Sequence, residues 1–153
     1  MKLKLRIAEG NDFSPKVLKY LKMYFEVDLA PCSENELPTI FNSYDIFWFR
    51  LGFLIDKELI RKSSKLKIIA TPVTGIDHID EQACIRKGIK IACLKGEYDF
   101  LKDVRATAEH TLALTLSLMR LIPQSIIDTR SGNWNRDLYR GNELFKKTVG
   151  VIG

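Results

Sequence analysis

Short apolar runs alternate with helical patterns over the first hundred residues of the chain. Strands are predicted over residues 3–8, 25–29, 46–49, 66–70 and 89–93. The third run, IFWF, is apolar throughout, which is typical of a strand buried on both faces. Strands and helices that alternate at this spacing favour parallel pairing through right-handed crossovers. The pattern therefore predicts an α/β fold with an open parallel sheet.

The expected helix boundaries carry residues that suit those positions. Ser14 and Pro15 predict a helix start, because serine caps helices and proline fits their first turn. Asp56 and Asp80 are the expected N-caps of two later helices. Gly88 is expected to end the second of these in the left-handed conformation.

The character of the sequence changes after residue 93. A long helix is predicted over 104–121, with leucine and alanine on nearly every side. A helix that is apolar all round is expected to be buried between two bodies of protein. Pro123 should break it, and a second helix is expected over 124–130. The run TVGVI at 148–152 predicts a new strand, which is expected to fray or to associate because its partner strands are missing.

Composition places the chain among ordinary globular proteins. Of its 153 residues, 46% are apolar and 28% are charged, which argues against disorder. Even the longest stretches without a charge or a histidine, such as 111–119, are far shorter than the roughly 20 apolar residues of a membrane span. The N-terminal segment lacks the continuous apolar run of a secretory signal. We therefore expect a cytoplasmic protein without a membrane partner.

The net charge of +5 is spread over basic clusters that flank the apolar runs. This placement favours a solvated rim over a nucleic-acid surface, since basic and aromatic residues do not interleave. A weaker role is the steering of anionic ligands. The three cysteines show no CxxC spacing and the two histidines lie far apart, so no metal site is expected.

Two candidate binding segments come after predicted strands. They lie at the carboxyl ends of these strands, where open α/β sheets bind ligands. In TPVTGIDHID, Thr74 and Gly75 could hold a carboxylate through main-chain N–H groups. The alternative is that Gly75 only permits a tight turn. Arg50 ends the IFWF strand and could pair with a phosphate or a carboxylate. Its alternative role is a solvated strand end.

Two adjacent titratable pairs are interpreted as structural. Asp77 and His78 have no nearby nucleophile. Glu109, beside His110, lies at a predicted helix start, where the helix dipole favours a carboxylate. No catalytic residue is therefore predicted. The ending TVGVIG begins like a dinucleotide-binding turn, but the full G-x-G-x-x-G motif needs about five more residues after Gly153.

Taken in order, several segments resemble the N-terminal part of the D-isomer-specific 2-hydroxyacid dehydrogenase family. They are WFR, LKIIATPVTGIDHIDEQACIRKGIKI, TAEHTLALTLSLMRLIPQ, GNW and KTVGVIG. Proteins of this family have a flavodoxin-like substrate domain, a long linking helix and a Rossmann-type NAD-binding domain. The resemblance implies a flavodoxin-like substrate domain over 1–100, followed over 101–153 by the linking helix and the first strand of an incomplete NAD-binding domain.

The resemblance also implies roles for particular residues. It places Thr74 and Gly75 where the substrate carboxylate meets the nicotinamide, and Arg50 near the anionic group of the substrate. Thr107 would lie near the nicotinamide of NAD or NADP, and Gly153 would be the first glycine of the phosphate loop. The implied activity is hydride transfer between NAD(P) and the CH–OH group of a small anionic 2-hydroxy acid.

The match to the family is incomplete. Val73 stands where a glycine is often found, and Ala106 stands where a serine is common. The catalytic arginine, glutamate and histidine of the family would lie beyond this chain, so the chain alone is expected to be inactive. The part from the linking helix to Trp134 resembles the region through which family members form homodimers. The alternatives are a free-standing flavodoxin-like binding or regulatory module without catalysis, and a corepressor built on the same scaffold.

Overall fold

The computed structural model of the protein describes residues 2–10 and 13–152. Five strands lie within the first hundred residues: β1 (Lys4–Ile7), β2 (Glu26–Leu29), β3 (Ile46–Trp48), β4 (Ile68–Ala70) and β5 (Lys90–Ala92). They pair in parallel in the order β2-β1-β3-β4-β5. This is the strand order of the flavodoxin-like doubly wound fold. The predicted open parallel sheet is confirmed.

Four helices connect these strands: α1 (Pro15–Tyr24), α2 (Leu37–Ser43), α3 (Lys57–Lys62) and α4 (Glu81–Lys87). The N-caps predicted at Asp56 and Asp80 are confirmed, because Asp56 accepts from the backbone N–H of Leu59 and Asp80 from that of Ala83, each at 2.8 Å. Ser14 precedes α1 as predicted, but its side chain makes no capping hydrogen bond. Gly88 follows α4 with φ of 74°, the left-handed conformation that glycine adopts without strain.

The core occupies both faces of the sheet. Along β3 and just beyond it, alternate side chains point to opposite faces, so Phe47 and Phe49 face one way and Ile46 and Trp48 the other. The cluster around Phe47 includes residues of α2, α3 and α4. The cluster around Ile46 includes residues of α1. The position of β3 between these clusters explains its uninterrupted apolar sequence.

The chain divides into two units, Met1–Tyr98 and Asp99–Gly153. A short helix, α5 (Tyr98–Leu101), lies at the division, and α6 (Ala106–Met119) and α7 (Ile122–Arg130) follow. The long helix predicted over 104–121 is therefore shorter. Leu121 adopts a left-handed φ of 54° between α6 and α7. Pro123 lies in the first turn of α7, where it starts the second helix.

The burial predicted for α6 is wrong, whereas the fraying expected of residues 148–152 agrees with the structure. The helix predicted to be buried, α6, contains no buried residue, because no other segment of the described second unit covers its leucines. Residues 148–152 form no strand, and Val151 is 88% exposed. A strand needs a paired neighbour for its backbone hydrogen bonds, and the described part of this unit has none.

Candidate functional site

The carboxyl ends of the parallel strands meet at one edge of the sheet, where ligands bind in this class of fold. Glu9 lies just beyond β1, Arg50 just beyond β3 and Thr71 directly after β4. We call this part of the first unit the carboxyl edge. Two of the predicted binding segments, Arg50 and the loop that contains Thr74, therefore start from adjacent strands.

The backbone at Arg50 is fixed on both sides. The N–H of Ala8 donates to the carbonyl of Trp48 at 2.8 Å, and the N–H of Phe49 donates to that of Ala70 at 3.1 Å. The hydroxyl of Thr71, a residue only 3% exposed, donates to the carbonyl of Arg50 at 3.0 Å. The sheet therefore holds the Arg50 backbone in place at the carboxyl edge.

The side chain of Arg50 forms an ion pair that the sequence did not reveal. Its Nη2 lies 3.0 Å from Oε2 of Glu9, while 48% of the arginine side chain stays exposed. Arg50 is thus a half-exposed cation at the end of a strand, and Glu9 is one of its partners. Glu9 was missed because its pairing depends on β1 lying beside β3. The strand order would have been the signal for it.

Thr74 and Gly75 lie in an exposed part of the loop that follows β4. Among the described residues, neither of their backbone N–H groups makes a hydrogen bond. Gly75 has no left-handed φ, and a Cβ placed there would meet nothing within 4 Å. A tight turn therefore does not require this glycine. Two open main-chain donors favour the alternative, an anion approached by backbone.

The ends of this loop are anchored while its middle is open. The carbonyl of Val73 accepts from the N–H of Leu94 at 3.0 Å, and Ile76 is 4% exposed. A cavity of about 480 Å³ lies beside β4 and β5 at the carboxyl edge, lined in part by Thr71, Pro72 and Cys93. Cavities of this size accept small organic ligands. The first unit thus presents a concave surface at this edge, although none of Arg50, Thr74 and Gly75 lines it.

The structural interpretation of His78 agrees with its packing. Its ring stands edge-on to Phe49, with centroids 5.5 Å apart, and its carbonyl accepts from the N–H of Ile55 at 2.8 Å. Its Nε2 has no hydrogen-bond partner within the described chain. Asp77 beside it is exposed, and in the described ranges no three metal-binding side chains cluster. This arrangement offers no catalytic dyad.

Cys84 behaves as the small core residue that its apolar surroundings predict. It is fully buried, and burial raises the pKa of its thiol to about 11. A thiol that stays protonated at neutral pH is a poor nucleophile.

The other two predicted residues belong to the second unit. Thr107 is exposed in the first turn of α6, in the second unit, and its carbonyl accepts from the hydroxyl of Thr111 at 2.8 Å. Gly153 lies outside the described residues. No helix in 2–10 or 13–152 is long and apolar enough to cross a membrane.

Comparison with known proteins defines the class. Residues 7–133 match the family model of the D-isomer specific 2-hydroxyacid dehydrogenase catalytic domain. The chain belongs to this family of oxidoreductases.

Two individual relatives within this family are D-3-phosphoglycerate dehydrogenases. The chain is 33% identical over 150 residues to a D-3-phosphoglycerate dehydrogenase of Methanocaldococcus jannaschii, covering 97% of this chain and 28% of that protein. It is 35% identical over 121 residues to a D-3-phosphoglycerate dehydrogenase of Bacillus subtilis, covering 79% of this chain and 21% of the relative. The chain therefore spans about a quarter of the length of these relatives.

A solved structure supports the fold. D-lactate dehydrogenase of Aquifex aeolicus, crystallised with NAD and lactic acid, superposes with a TM-score of 0.73 at 24% identity. The match covers 92% of this chain and 41% of that one. The flavodoxin-like architecture predicted for the substrate domain is thus confirmed.

Proposed function

We propose that the first unit is the substrate-binding part of a cytoplasmic, NAD- or NADP-dependent dehydrogenase acting on a small anionic 2-hydroxy acid. D-3-phosphoglycerate is the substrate candidate, because two relatives that match 97% of this chain carry that activity in their names. The observation that carries the proposal is the carboxyl edge. There an anchored, half-exposed Arg50 follows one strand, and two open main-chain donors follow the next.

The residues of this edge have complementary chemistry. The Arg50 guanidinium can bind a phosphate or carboxylate through several N–H groups at once. The N–H groups of Thr74 and Gly75 can bind a second anionic group without adding a charge of their own. D-3-phosphoglycerate carries a phosphate at one end and a carboxylate at the other. We therefore assign its phosphate to Arg50 and its carboxylate to the loop.

The residues present fit only part of a nicotinamide dinucleotide. The open space at Gly75 allows a flat ring to approach the backbone of Thr74, and Thr107 and Gly153 are proposed as further contacts. When bound, the nicotinamide supplies the hydride acceptor or donor. The proton-transferring residues are proposed to lie in the remaining three quarters of the relatives' length, so this chain alone should not catalyse the reaction. Homodimer formation through the region from α6 to Trp134 belongs to the same proposal.

The test is a titration of the ¹⁵N-labelled chain with D-3-phosphoglycerate, followed by NMR. The amide signals of Thr74 and Gly75 should shift during the titration, because their N–H groups acquire an acceptor. Arg50→Gln should weaken binding about tenfold, since it removes a charge-assisted contact. D-lactate, which lacks the phosphate, should bind weakly and should not distinguish wild type from Arg50→Gln.

A cation on the opposite edge of the sheet provides the matched control. Lys65 precedes β4 and its Nζ donates to the carbonyl of Ser43 at 2.8 Å. Lys65→Gln removes the same charge from the chain, so it should leave the affinity for D-3-phosphoglycerate unchanged. Equal effects of Arg50→Gln and Lys65→Gln, or shifts that avoid Thr74 and Gly75, would overturn the proposal.

A further inference from the structure

A small cavity lies between the neighbouring helices α3 and α4, and none of the residues that define the carboxyl edge lines it. Its volume is about 220 Å³, below the range of roughly 300–1,000 Å³ in which drug-sized ligands bind. Ile60 and Ala83 line its inner side and are 1% and 6% exposed. The cavity is therefore suited to a compact chemical group.

The exposed residues that line this cavity are strongly basic. They are Lys57, Glu58 and Arg61 of α3 and Arg86 and Lys87 of α4. We call these five residues the basic groove. Its four cations and one carboxylate give a local net charge of +3. Because like charges repel each other, such a cluster stabilises the fold poorly unless an anion neutralises it.

Two of the four cations have a partner within the chain. Arg61 Nη2 donates to Oε2 of Glu58 at 2.8 Å, and Lys87 Nζ donates to the carbonyl of Arg61 at 2.9 Å. Over residues 2–10 and 13–152, the side chains of Lys57 and Arg86 have no hydrogen bond or ion pair. The groove thus has two cations whose N–H donors are unused within the described chain.

The helix dipole explains part of the basic groove but not Lys57. A helix favours cations in its last turn, which is the position of Arg61 in α3 and of Arg86 and Lys87 in α4. Lys57 lies in the first turn of α3, directly after the N-cap Asp56, where the dipole favours carboxylates. The stability of α3 therefore does not account for this lysine.

We propose that the basic groove binds the diphosphate group of a ligand, at a site additional to that of the hydroxy acid. A single phosphate carries about −1.5 to −2 charges at pH 7, so it does not neutralise the +3 of the groove, whereas two linked phosphates do. Lys57 and Arg86 supply the direct contacts, because charge-assisted hydrogen bonds to phosphate are strong. The cavity encloses the diphosphate alone, and the rest of the ligand stays outside.

The first test is an NMR titration of the ¹⁵N-labelled chain with pyrophosphate, at constant ionic strength and without divalent cations. The amide signals of Lys57 and Arg86 should shift, and those of Thr74 and Gly75 should not. ADP should bind as tightly as pyrophosphate, whereas AMP and orthophosphate should bind at least tenfold more weakly. Shifts at every basic cluster of the chain, or equal affinities for ADP and AMP, would overturn the proposal.

A double variant and a control of equal charge separate the groove from general attraction. Lys57→Gln combined with Arg86→Gln should weaken pyrophosphate binding about tenfold or more. Lys16→Gln combined with Lys19→Gln removes two exposed cations from α1, on the other face of the sheet, and should leave the affinity unchanged. Equal losses of affinity in the two double variants would overturn the proposal.

Urea unfolding adds a measurement that a purely structural role would change. Without ligand, the midpoint of Lys57→Gln with Arg86→Gln should be no lower than that of wild type, because the substitutions reduce repulsion. Pyrophosphate should raise the midpoint of wild type but not that of this variant. A lower midpoint without ligand, together with an unchanged affinity for pyrophosphate, would assign both cations to the fold and overturn the proposal.

Discussion

The two units differ sharply in how they use apolar residues. Within the described ranges, every buried residue belongs to the first unit, where Phe47, Phe49 and Ile69 are fully enclosed. In the described part of the second unit no residue is buried, although α6 is rich in leucine. Apolar content alone therefore does not produce a core. The sheet of the first unit buries its side chains because helices cover both of its faces.

The same comparison explains where a ligand site can be precise. Arg50 and Thr71 extend from a sheet whose backbone is locked by a ladder of hydrogen bonds. Thr107 lies on a helix that the described residues of its own unit do not enclose. Positions on a rigid scaffold hold their geometry better than positions on an uncovered element. The carboxyl edge is thus the part of the molecule best suited to specific binding.

The largest expected effect comes from removing a core aromatic ring. Phe47 is fully buried, and its ring lies 5.4 Å from that of Phe41 and 5.3 Å from that of Phe49. Phe47→Ala should lower the free energy of unfolding by about 3–5 kcal/mol. Urea unfolding followed by the fluorescence of Trp48, which belongs to the same unit, measures this change.

The matched substitution in the second unit is Phe145→Ala. The Phe145 side chain is 74% exposed, so its loss should change the free energy of unfolding by no more than about 0.5 kcal/mol. Equal losses for the two phenylalanines would show that the second unit has a core of its own and would remove the contrast between the units.

The next largest expected effect on the free energy of unfolding is electrostatic and depends on pH. The carboxylate of Asp45, 9% exposed, accepts from Lys67 Nζ at 2.8 Å and from the backbone N–H of Lys4 at 3.0 Å. These contacts, that of Lys67 above all, hold the pKa of Asp45 below its ordinary value. At pH 7, Asp45→Asn should lower the free energy of unfolding by about 2 kcal/mol, the size of a hydrogen bond to a charged group.

The sign of the pH dependence follows from the direction of this shift. A carboxyl whose folded-state pKa lies below the unfolded value of about 3.9 stabilises the fold fully above that pH. The stabilisation is lost as the pH falls through the folded-state pKa. The difference between wild type and Asp45→Asn should therefore shrink as urea titrations move from pH 7 to about pH 3.

An exposed pair in the second unit supplies the control for Asp45. Asp137 pairs with Arg140 at 2.6 Å, but its side chain is 69% exposed. Asp137→Asn should therefore change stability by less than about 1 kcal/mol at pH 7. A difference between wild type and Asp45→Asn that stays constant down to pH 3 would contradict the role assigned to this buried carboxylate.

The sequence predicted the first unit well because the patterns that define its strands and helix ends are local. The spacing of apolar runs predicted all five strands to within two residues at either end, and Asp56, Asp80 and Gly88 marked helix ends through their own hydrogen bonds and φ. Arg50 and Thr74 could be placed at the carboxyl edge for the same reason. Each follows a recognisable strand.

What the sequence did not predict depends on partners distant in the chain. Glu9 meets Arg50 only because β3 returns beside β1, and the pairing spans 41 positions that no local pattern encodes. The strand expected over 148–152 fails for a related reason. Its apolar pattern is suited to a sheet, but a strand forms only when another strand is available to pair with it.

A substitution on α6 should give the smallest change in the free energy of unfolding and the clearest change in the self-association of the chain. Leu118 is 71% exposed and Leu114, one turn before it, is 52% exposed, so they form an apolar stripe. Exposed apolar stripes of this kind promote association. Leu118→Lys should leave the free energy of unfolding within about 0.5 kcal/mol of wild type. Sedimentation velocity across a range of concentrations should show dimers for wild type and mainly monomers for this variant.

An equally exposed residue in the first unit tests whether the effect is specific to α6. Ile85 on α4 is 68% exposed, and Ile85→Lys introduces the same charge at the same degree of exposure. Because Ile85 stands on a helix whose other side already packs on the sheet, its substitution should leave the association of the chain unchanged. If Ile85→Lys dissociates dimers as well as Leu118→Lys does, added charge explains the result and the stripe on α6 has no special role.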